Sequence, residues 1–185
     1  MNCKIKGKGE KPAVTIRQAD LRDARPICAL IKSNPLELIV RPLGDIVRNI
    51  DRFTVVYAGG RLVGCASYSV LPEAGNFSKA SIEMTSVAIR KSWRGRGLGR
   101  KLVETMVERI SRLRPVQIIV LTYTPDFFRK IGFERISKQD IMYKIYSGCV
   151  NCTKHSNPFT CPEVAMAYTP QFDDGPAKTA KGESK

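Results

Sequence analysis

Residues 94–99 read Arg-Gly-Arg-Gly-Leu-Gly, and this short segment carries the clearest chemical signal in the chain. Glycines let a backbone approach a ligand closely, and the first amides of a helix have no partner inside that helix. Because the helix dipole adds positive charge at the same end, a helix that begins here would attract an anion. Six cations lie in or beside the segment: Arg90, Lys91, Arg94, Arg96, Arg100 and Lys101. Together these features predict a binding loop for a di- or triphosphorylated cofactor.

The spacing of the glycines excludes two common phosphate loops. No Gly-Lys-Ser/Thr follows, so the Walker pattern is absent, and Gly95, Gly97 and Gly99 do not match the dinucleotide-binding fingerprint. A glycine-rich turn with a solvated basic face stays open as the plain alternative. The flanking elements favour the binding role, because a β-type stretch at 84–89 precedes the loop. The residues after it are apolar at helical spacing: Leu98, Leu102, Val103, Met106, Val107 and Ile110.

The rest of the chain predicts a mixed fold around one sheet. Strands are expected at residues 13–17, 53–57, 62–68, 82–89, 117–122 and from 133 onward. Gly59-Gly60 predicts a hairpin turn, and Asp20 is a candidate cap for the first helix. Pro26 lies inside that helical pattern, so the helix is expected to begin later or to bend there. A short helix after Pro42, the long helix after Gly99 and a short helix at 125–131 complete an α+β order.

The loop, read as Arg-x-x-Gly-x-Gly after a strand, resembles the acetyl-CoA loop of the GCN5-related N-acetyltransferase (GNAT) superfamily. Residues 121–133, Leu-Thr-Tyr-Thr-Pro-Asp-Phe-Phe-Arg-Lys-Ile-Gly-Phe, are similar to a later motif of that superfamily. Residues 39–55 and 82–89 look like the acetyltransferase domain of bacterial N-acetylglutamate synthases, and residues 143–152 resemble short, stand-alone versions. The resemblance covers roughly residues 13–166. It implies the GNAT fold, a single mixed, mostly antiparallel sheet flanked by helices.

The resemblance also implies an activity, the transfer of an acetyl group from acetyl-CoA to a small amine. L-Glutamate is the leading acceptor, which would place the protein in arginine biosynthesis. Another amino acid, a polyamine or a protein lysine stays open as the acceptor. A module that binds nucleic acid through its basic surface is the alternative from a different class, but no nucleic-acid motif is visible.

Site residues follow from the same resemblance. Glu83 is the expected catalytic base, with a surface glutamate paired to a lysine as the alternative. Arg41 and Lys144 are the expected substrate-binding residues, since arginine suits carboxylates; Arg41 could instead be a cation at a helix start. Phe128 stands where many superfamily members have a tyrosine, so the general acid stays open. The expected cofactor-binding residues are Val87, Ala88 and Ile89 on the strand and Arg94, Gly95, Arg96, Gly97, Leu98 and Gly99 in the loop.

Four residues near the C-terminus have spacing suited to a metal. Cys149, Cys152, His155 and Cys161 form the pattern Cys-x-x-Cys-x-x-His-x-x-x-x-x-Cys. Three thiolates and one imidazole could hold a structural zinc ion. Reduced thiols are the alternative, and a disulfide is disfavoured in a cytosolic protein.

Composition sets the remaining bounds. The chain has 185 residues, of which 43% are hydrophobic and 26% charged, as in one ordinary globular domain with tails. The longest aliphatic run, 118–121, is too short to span a bilayer, and the N-terminus lacks a signal-peptide pattern, so a cytoplasmic location is expected. The net charge of +14 suits either solubility or an anionic ligand. We expect a flexible basic arm at 1–12, the catalytic domain at 13–147, a cysteine-rich segment at 148–167 and a disordered tail at 168–185. The oligomeric state stays open, a homodimer included.

Overall fold

The computed structural model describes residues 12–73 and 76–172, and it describes no side chain from 72 to 79. Within these residues a single seven-stranded sheet has the strand order β1-β2-β3-β4-β5-β7-β6. The strands are β1 Val14–Gln18, β2 Thr54–Ala58, β3 Arg61–Glu73, β4 Asn76–Ile89, β5 Ile118–Thr122, β6 Glu134–Arg135 and β7 Val164–Tyr168. The helices are α1 Ala24–Lys32, α2 Leu43–Arg48, α3 Leu98–Ser111, α4 Pro125–Arg129 and α5 Met142–Lys144. The predicted α+β fold, one mixed and mostly antiparallel sheet flanked by helices, is confirmed.

The two faces of the sheet carry separate cores. Val55 and Val56 are both fully buried, yet they belong to different clusters because neighbouring residues of a strand point to opposite faces. One face packs against α3 through Leu102, Val103, Met106 and Ile110, the predicted helical stripe. The other face packs against α1 and α2 through Ile27, Leu30, Ile31 and Ile46. The sheet is therefore covered on both sides.

Several local predictions are confirmed. Gly59 and Gly60 adopt positive φ values of 56° and 74° in the turn between β2 and β3. The Asp20 side chain caps a short 3₁₀ turn that leads into α1. The later start predicted from Pro26 is wrong: α1 begins at Ala24 and contains Pro26 as its third residue, where a proline removes no helical hydrogen bond.

The feature that shapes the site is a divergence of two central strands. β4 and β5 run parallel but pair only at Ile82 with Ile118 and Glu83 with Ile119. Beyond Glu83 the strands separate, while β4 continues to Ile89. A bulge in the β3–β4 pairing lies in the same stretch, where Ser86 has a φ of 53°. One edge of β4 after Glu83 thus has no partner strand within the described residues.

β7 is the strand that sequence reasoning missed. It pairs antiparallel with β5 along its whole length and with β6 on its other side. Its partners in β5 and β6 are more than 30 residues earlier in the chain, and local periodicity carries no information on such pairing. Tyr168, predicted to begin the disordered tail, is its last residue. Residues 1–11 of the predicted arm, Cys3 among them, and residues 173–185 lie outside the described residues.

No helix in the described part of the chain is both long and apolar enough to cross a membrane.

Candidate active site

The divergence of β4 and β5 opens a cleft of about 740 Å³. Its walls come from the segment between α1 and α2, from β4, from the loop before α3, from α4 and from residues 138–163. Clefts of this size hold cofactors and small substrates. Most of the predicted site residues line it: Arg41, Glu83, Val87, Ile89, Arg94, Gly95, Gly97, Gly99, Lys144, Cys149, Cys152, His155 and Cys161. Ala88, Arg96 and Leu98 are not among the lining residues.

The glycine loop presents a row of backbone amides at the N-terminus of α3. Gly95 and Gly97 have φ values of 75° and 77°, which residues with a side chain rarely adopt. The first helical hydrogen bond runs from the Lys101 amide to the Gly97 carbonyl. Within the part of the chain that the structure describes, the amides from Gly95 to Arg100 donate to no protein acceptor. They can therefore receive an anion, and the helix dipole favours it.

Arg94 differs from the other loop residues. Its amide donates to the Lys91 carbonyl, and its Nε donates to the Ile89 carbonyl at 3.0 Å. Its guanidinium donates to both carboxylate oxygens of Glu37, at 2.9 and 2.7 Å, and to the buried Asn34 at 3.0 Å. This guanidinium lowers the pKa of Glu37. Arg94 thus ties the loop to the segment after α1, and its charge is engaged with protein groups.

The loop side chains that leave the cleft have partners elsewhere. The Arg96 guanidinium lies 4.7 Å from the centre of the Trp93 ring. Leu98 packs into the core against the sheet, and Ala88 faces α1 from the opposite side. Ala88 and Leu98 are buried, so only their backbones are available to a ligand, whereas the Arg96 side chain is exposed.

Glu83 and Lys144 form an ion pair at the point where the strands begin to diverge. Lys144 Nζ lies 2.9 Å from Glu83 Oε2, and the two side chains are 18% and 8% exposed. Glu83 is on the last rung that β4 shares with β5, while Lys144 comes from α5. The expected base and one expected substrate-binding residue therefore contact each other.

Arg41 reaches the same part of β4 from the opposite wall. Its guanidinium donates to Thr85 Oγ1 at 3.3 Å and to Asp45 Oδ2 at 3.2 Å. Thr85 follows Glu83 by two residues, and such residues point to the same face of a strand. A guanidinium and a carboxylate thus border one space in the cleft.

The cysteine cluster does not form the predicted metal site. Among the described residues, no three or more His, Cys, Asp or Glu side chains gather closely enough to hold a metal ion. His155 Nε2 instead shares a hydrogen bond of 3.0 Å with the Tyr123 hydroxyl, and Cys161 Sγ donates to the Glu163 carboxylate. Burial raises the pKa of Cys149 and of Cys161, which favours thiols over thiolate ligands. The structure therefore does not support zinc, because the donors are directed to separate partners.

Comparison with known proteins agrees with this geometry. The acetyltransferase (GNAT) domain family matches residues 49–135. An uncharacterized N-acetyltransferase of Chlorobaculum tepidum is 29% identical over 156 residues, which cover 83% of this chain and 95% of that protein. The chain is a member of the GNAT superfamily. It is accordingly an acetyl-CoA-dependent N-acetyltransferase of the GNAT type.

Other GNAT relatives are amino-acid acetyltransferases. The Aeromonas salmonicida enzyme of that name is 32% identical over 130 residues, which cover 68% of this chain but only 28% of the enzyme. A structural neighbour is the N-acetylglutamate synthase of Neisseria gonorrhoeae, solved with coenzyme A and N-acetyl-glutamate. It has a TM-score of 0.68 and 22% identity, with 86% of this chain and 36% of that chain covered. A Mycobacterium tuberculosis protein solved with CoA has a TM-score of 0.70 and 21% identity, covering 85% of this chain and 99% of its own.

Sequence reasoning missed Glu163 and Lys138 in the GNAT cleft and treated Tyr123 as a packed aromatic. Glu163 lines its wall just before β7, and burial raises the pKa of its carboxyl group. Tyr123 lines it just after β5, and burial raises its pKa as well. Lys138 donates to the carbonyls of Pro158 and Cys161, which holds the cysteine-rich segment against the cleft. No local pattern marks Glu163, because the long-range β5–β7 pairing brings it beside Tyr123 at the end of β5.

Proposed function

We propose that this GNAT enzyme transfers the acetyl group of acetyl-CoA to the α-amine of L-glutamate. The observation that carries the proposal is one space bordered by the Glu83 carboxylate and the Arg41 guanidinium, beside a row of amides without protein partners. The names of the amino-acid acetyltransferase relatives and the N-acetyl-glutamate bound in the Neisseria neighbour support the choice of acceptor.

The donor half of the cleft fits coenzyme A. The amides from Gly95 to Arg100 suit its diphosphate, and an added Cβ at Gly95 or Gly97 would meet no atom within 4 Å, so this side of the loop is open. The edge of β4 without a partner strand offers backbone groups to the rest of the donor. One of its N–H groups would polarise the thioester carbonyl, where negative charge develops as the amine attacks.

The acceptor half suits a small amino acid. The Arg41 fork would bind a carboxylate of glutamate through two parallel hydrogen bonds. Glu83 would accept a proton from the ammonium group, directly or through a water molecule, because only the neutral amine attacks. The new C–N bond then forms as the C–S bond breaks, and the sulfur leaves with a proton. Holding both substrates in one cleft contributes much of the rate.

A thiol-release assay with acetyl-CoA and a panel of amines tests the acceptor. The panel contains L-glutamate, L-glutamine, L-aspartate, spermidine and a lysine peptide. We expect the highest kcat/KM for glutamate, and glutamine separates recognition of the side-chain carboxylate from recognition of the α-carboxylate. A higher value for spermidine or for the peptide would overturn the proposal. The role in arginine biosynthesis remains a prediction that follows from this acceptor, and the cytoplasmic location remains a prediction from the sequence.

A further inference from the structure

We propose that Lys144 is a positioning residue that holds the Glu83 carboxylate at the divergence of β4 and β5, rather than an anchor for the acceptor. This inference rests on the proposed function, in which Glu83 receives the proton of the acceptor. It concerns how the chain keeps that carboxylate in the correct place.

The ion pair leaves the ammonium group of Lys144 little freedom to bind substrate. It lies 2.9 Å from Glu83 Oε2, and both side chains are mostly shielded from water. A substrate carboxylate would have to compete with Glu83 for the same cation. Removing a partner from a shielded ion pair leaves an uncompensated charge, which is unfavourable. Arg41 is also paired, with Asp45, but that carboxylate is 35% exposed, so water can solvate it when a substrate carboxylate takes its place.

The backbone after α5 is shaped to deliver Lys144 to this position. Residues Ile145–Cys149 form a π-helical turn, a wide turn that often occurs at functional sites. Gly148 lies in this turn, and a Cβ added there would come within 2.8 Å of Lys144 Nζ and 3.4 Å of its Cε. The missing side chain at 148 therefore provides the space in which the lysine lies as it reaches Glu83.

The surroundings explain why Glu83 needs a fixed cation. Glu163 faces the same region from the start of β7, and the charge of Glu83 contributes to its raised pKa. The Cys149 thiol lines the same cleft, and burial, together with the charge of Glu83, raises its pKa despite the opposing charge of Lys144. Arg41 approaches only as far as Thr85. Without Lys144, the Glu83 carboxylate would lose its partner beside a second carboxylate, and we expect it to turn from its place.

Steady-state kinetics with saturating acetyl-CoA can separate the two roles. The acceptor is the amine that gives the fastest thiol release with the unmodified enzyme. For Lys144→Met we expect kcat to fall about tenfold or more, which is part of the rate enhancement that a general base contributes. The KM for the acceptor should stay within about twofold of the original value, because Lys144 does not bind the acceptor. Lys144→Arg should restore most of kcat, because it keeps the charge.

Gly148→Ala is the finer probe. The added methyl group meets only the flexible end of Lys144, so the variant should fold while its ammonium group is displaced. We expect its kcat to lie between the kcat of the original enzyme and the kcat of Lys144→Met. Gly44→Ala is the matched control, because a Cβ there meets nothing within 4 Å, and it should leave kcat unchanged.

A rise in acceptor KM at constant kcat in Lys144→Met would overturn the inference and make Lys144 an anchor. Unchanged kinetics in Lys144→Met and in Gly148→Ala would overturn it too. If Lys144→Met fails to fold, Gly148→Ala distinguishes the positioning role from the anchoring role, because that variant keeps both Lys144 and the fold. Failure of the proposed function is distinct, because it shows in the unmodified enzyme alone: that enzyme would then give its highest kcat/KM with spermidine or the lysine peptide, or release no thiol with any amine.

Discussion

At the scale of single residues, the site depends on which charges are already engaged. Arg94 was expected beside the diphosphate, yet its guanidinium is held by Glu37 and Asn34. Lys144 was expected beside the acceptor, yet it contacts Glu83. Arg41 is paired with Asp45, but both side chains are partly exposed, at 23% and 35%. Residue type and spacing thus placed the right side chains in the cleft, but their partners decide what each can bind.

Replacement of Glu83 tests the proton acceptor. Glu83→Gln keeps the size of the side chain but removes the group that takes the proton, so we expect kcat to fall about 10²-fold. Glu134→Gln on the exposed strand β6 is the control and should behave as the original enzyme. An unchanged kcat in Glu83→Gln would exclude the role.

Replacement of Arg41 tests the carboxylate anchor. Arg41→Ala removes the fork, so the KM for glutamate should rise about tenfold or more, while the Kd for CoA measured by calorimetry stays within about twofold. Arg48→Ala, on the exposed face of α2, is the control. Weaker binding of both glutamate and CoA would instead indicate a general disturbance of the segment between α1 and α2.

At the scale of elements, strand ends and helix starts create the site. The β4–β5 divergence provides the opening, and the loop before α3 provides the amides. The amides were expected from the order of strand, glycine loop and helix, whereas the divergence was implied only by the resemblance to the superfamily. The hydrogen bonds from Arg94 to the segment after α1 were not expected, because they join residues about 60 positions apart.

The loop conformation can be tested through Gly97, the residue before α3. Gly97→Ala introduces a side chain at a φ of 77°, which costs about 1 kcal/mol and should shift the amides from their places. We expect the Kd for CoA, measured by calorimetry, to rise about fivefold or more, since a 1 kcal/mol loss corresponds to that factor. Gly44→Ala should not change it. An unaltered Kd in Gly97→Ala would place the diphosphate elsewhere.

The Asp23 carboxylate lies where β1, β2 and the turn before α1 meet. It predicts that the stability of the protein depends on pH. Burial of Asp23 would raise the pKa of its carboxyl group, but hydrogen bonds from Arg17, the Asp20 amide and the Tyr57 hydroxyl outweigh burial and lower it. A lowered folded-state pKa means that this stabilisation is present above the unfolded value of about 3.9 and is lost as the pH falls below it.

Asp23→Asn measures this contribution. The variant should lower the free energy of unfolding by about 1–3 kcal/mol at neutral pH, as expected for a buried network that loses its charge. The difference from the original protein should shrink when denaturant titrations are repeated below about pH 4. Asp126→Asn, with an exposed carboxylate, is the control. A difference independent of pH would show that packing, rather than charge, is responsible.

At the scale of the whole molecule, the C-terminal segment belongs to the sheet. Met166 of β7 joins the core beneath α3, and Ala165 and Ala167 pack against Ile119 on the other face. The proposed boundary of the catalytic domain at residue 147 would separate this strand from its partners. β5 and β6 would each lose a neighbour, and edges of that kind promote aggregation.

Truncation tests this dependence. A chain ending at residue 147 should lose β7 and unfold or aggregate, whereas a chain ending at residue 172 should retain the melting temperature of the full protein. Thermal unfolding followed by circular dichroism measures both. A cooperative transition in the shorter chain at the original temperature would show that residues 13–147 form an independent unit.

The sequence by itself determined the elements whose signals are local. These are the glycine loop, the α3 stripe, the β2–β3 hairpin, the cap at Asp20 and, through resemblance, the superfamily. The tertiary structure alone decided the insertion of β7 between β5 and β6, the pairing of Lys144 with Glu83 and the separate partners of the cysteine cluster. The physical reason is the separation, along the chain, of the residues that interact. Periodicity and caps act over a few residues, whereas strand order and ion pairs join residues tens of positions apart.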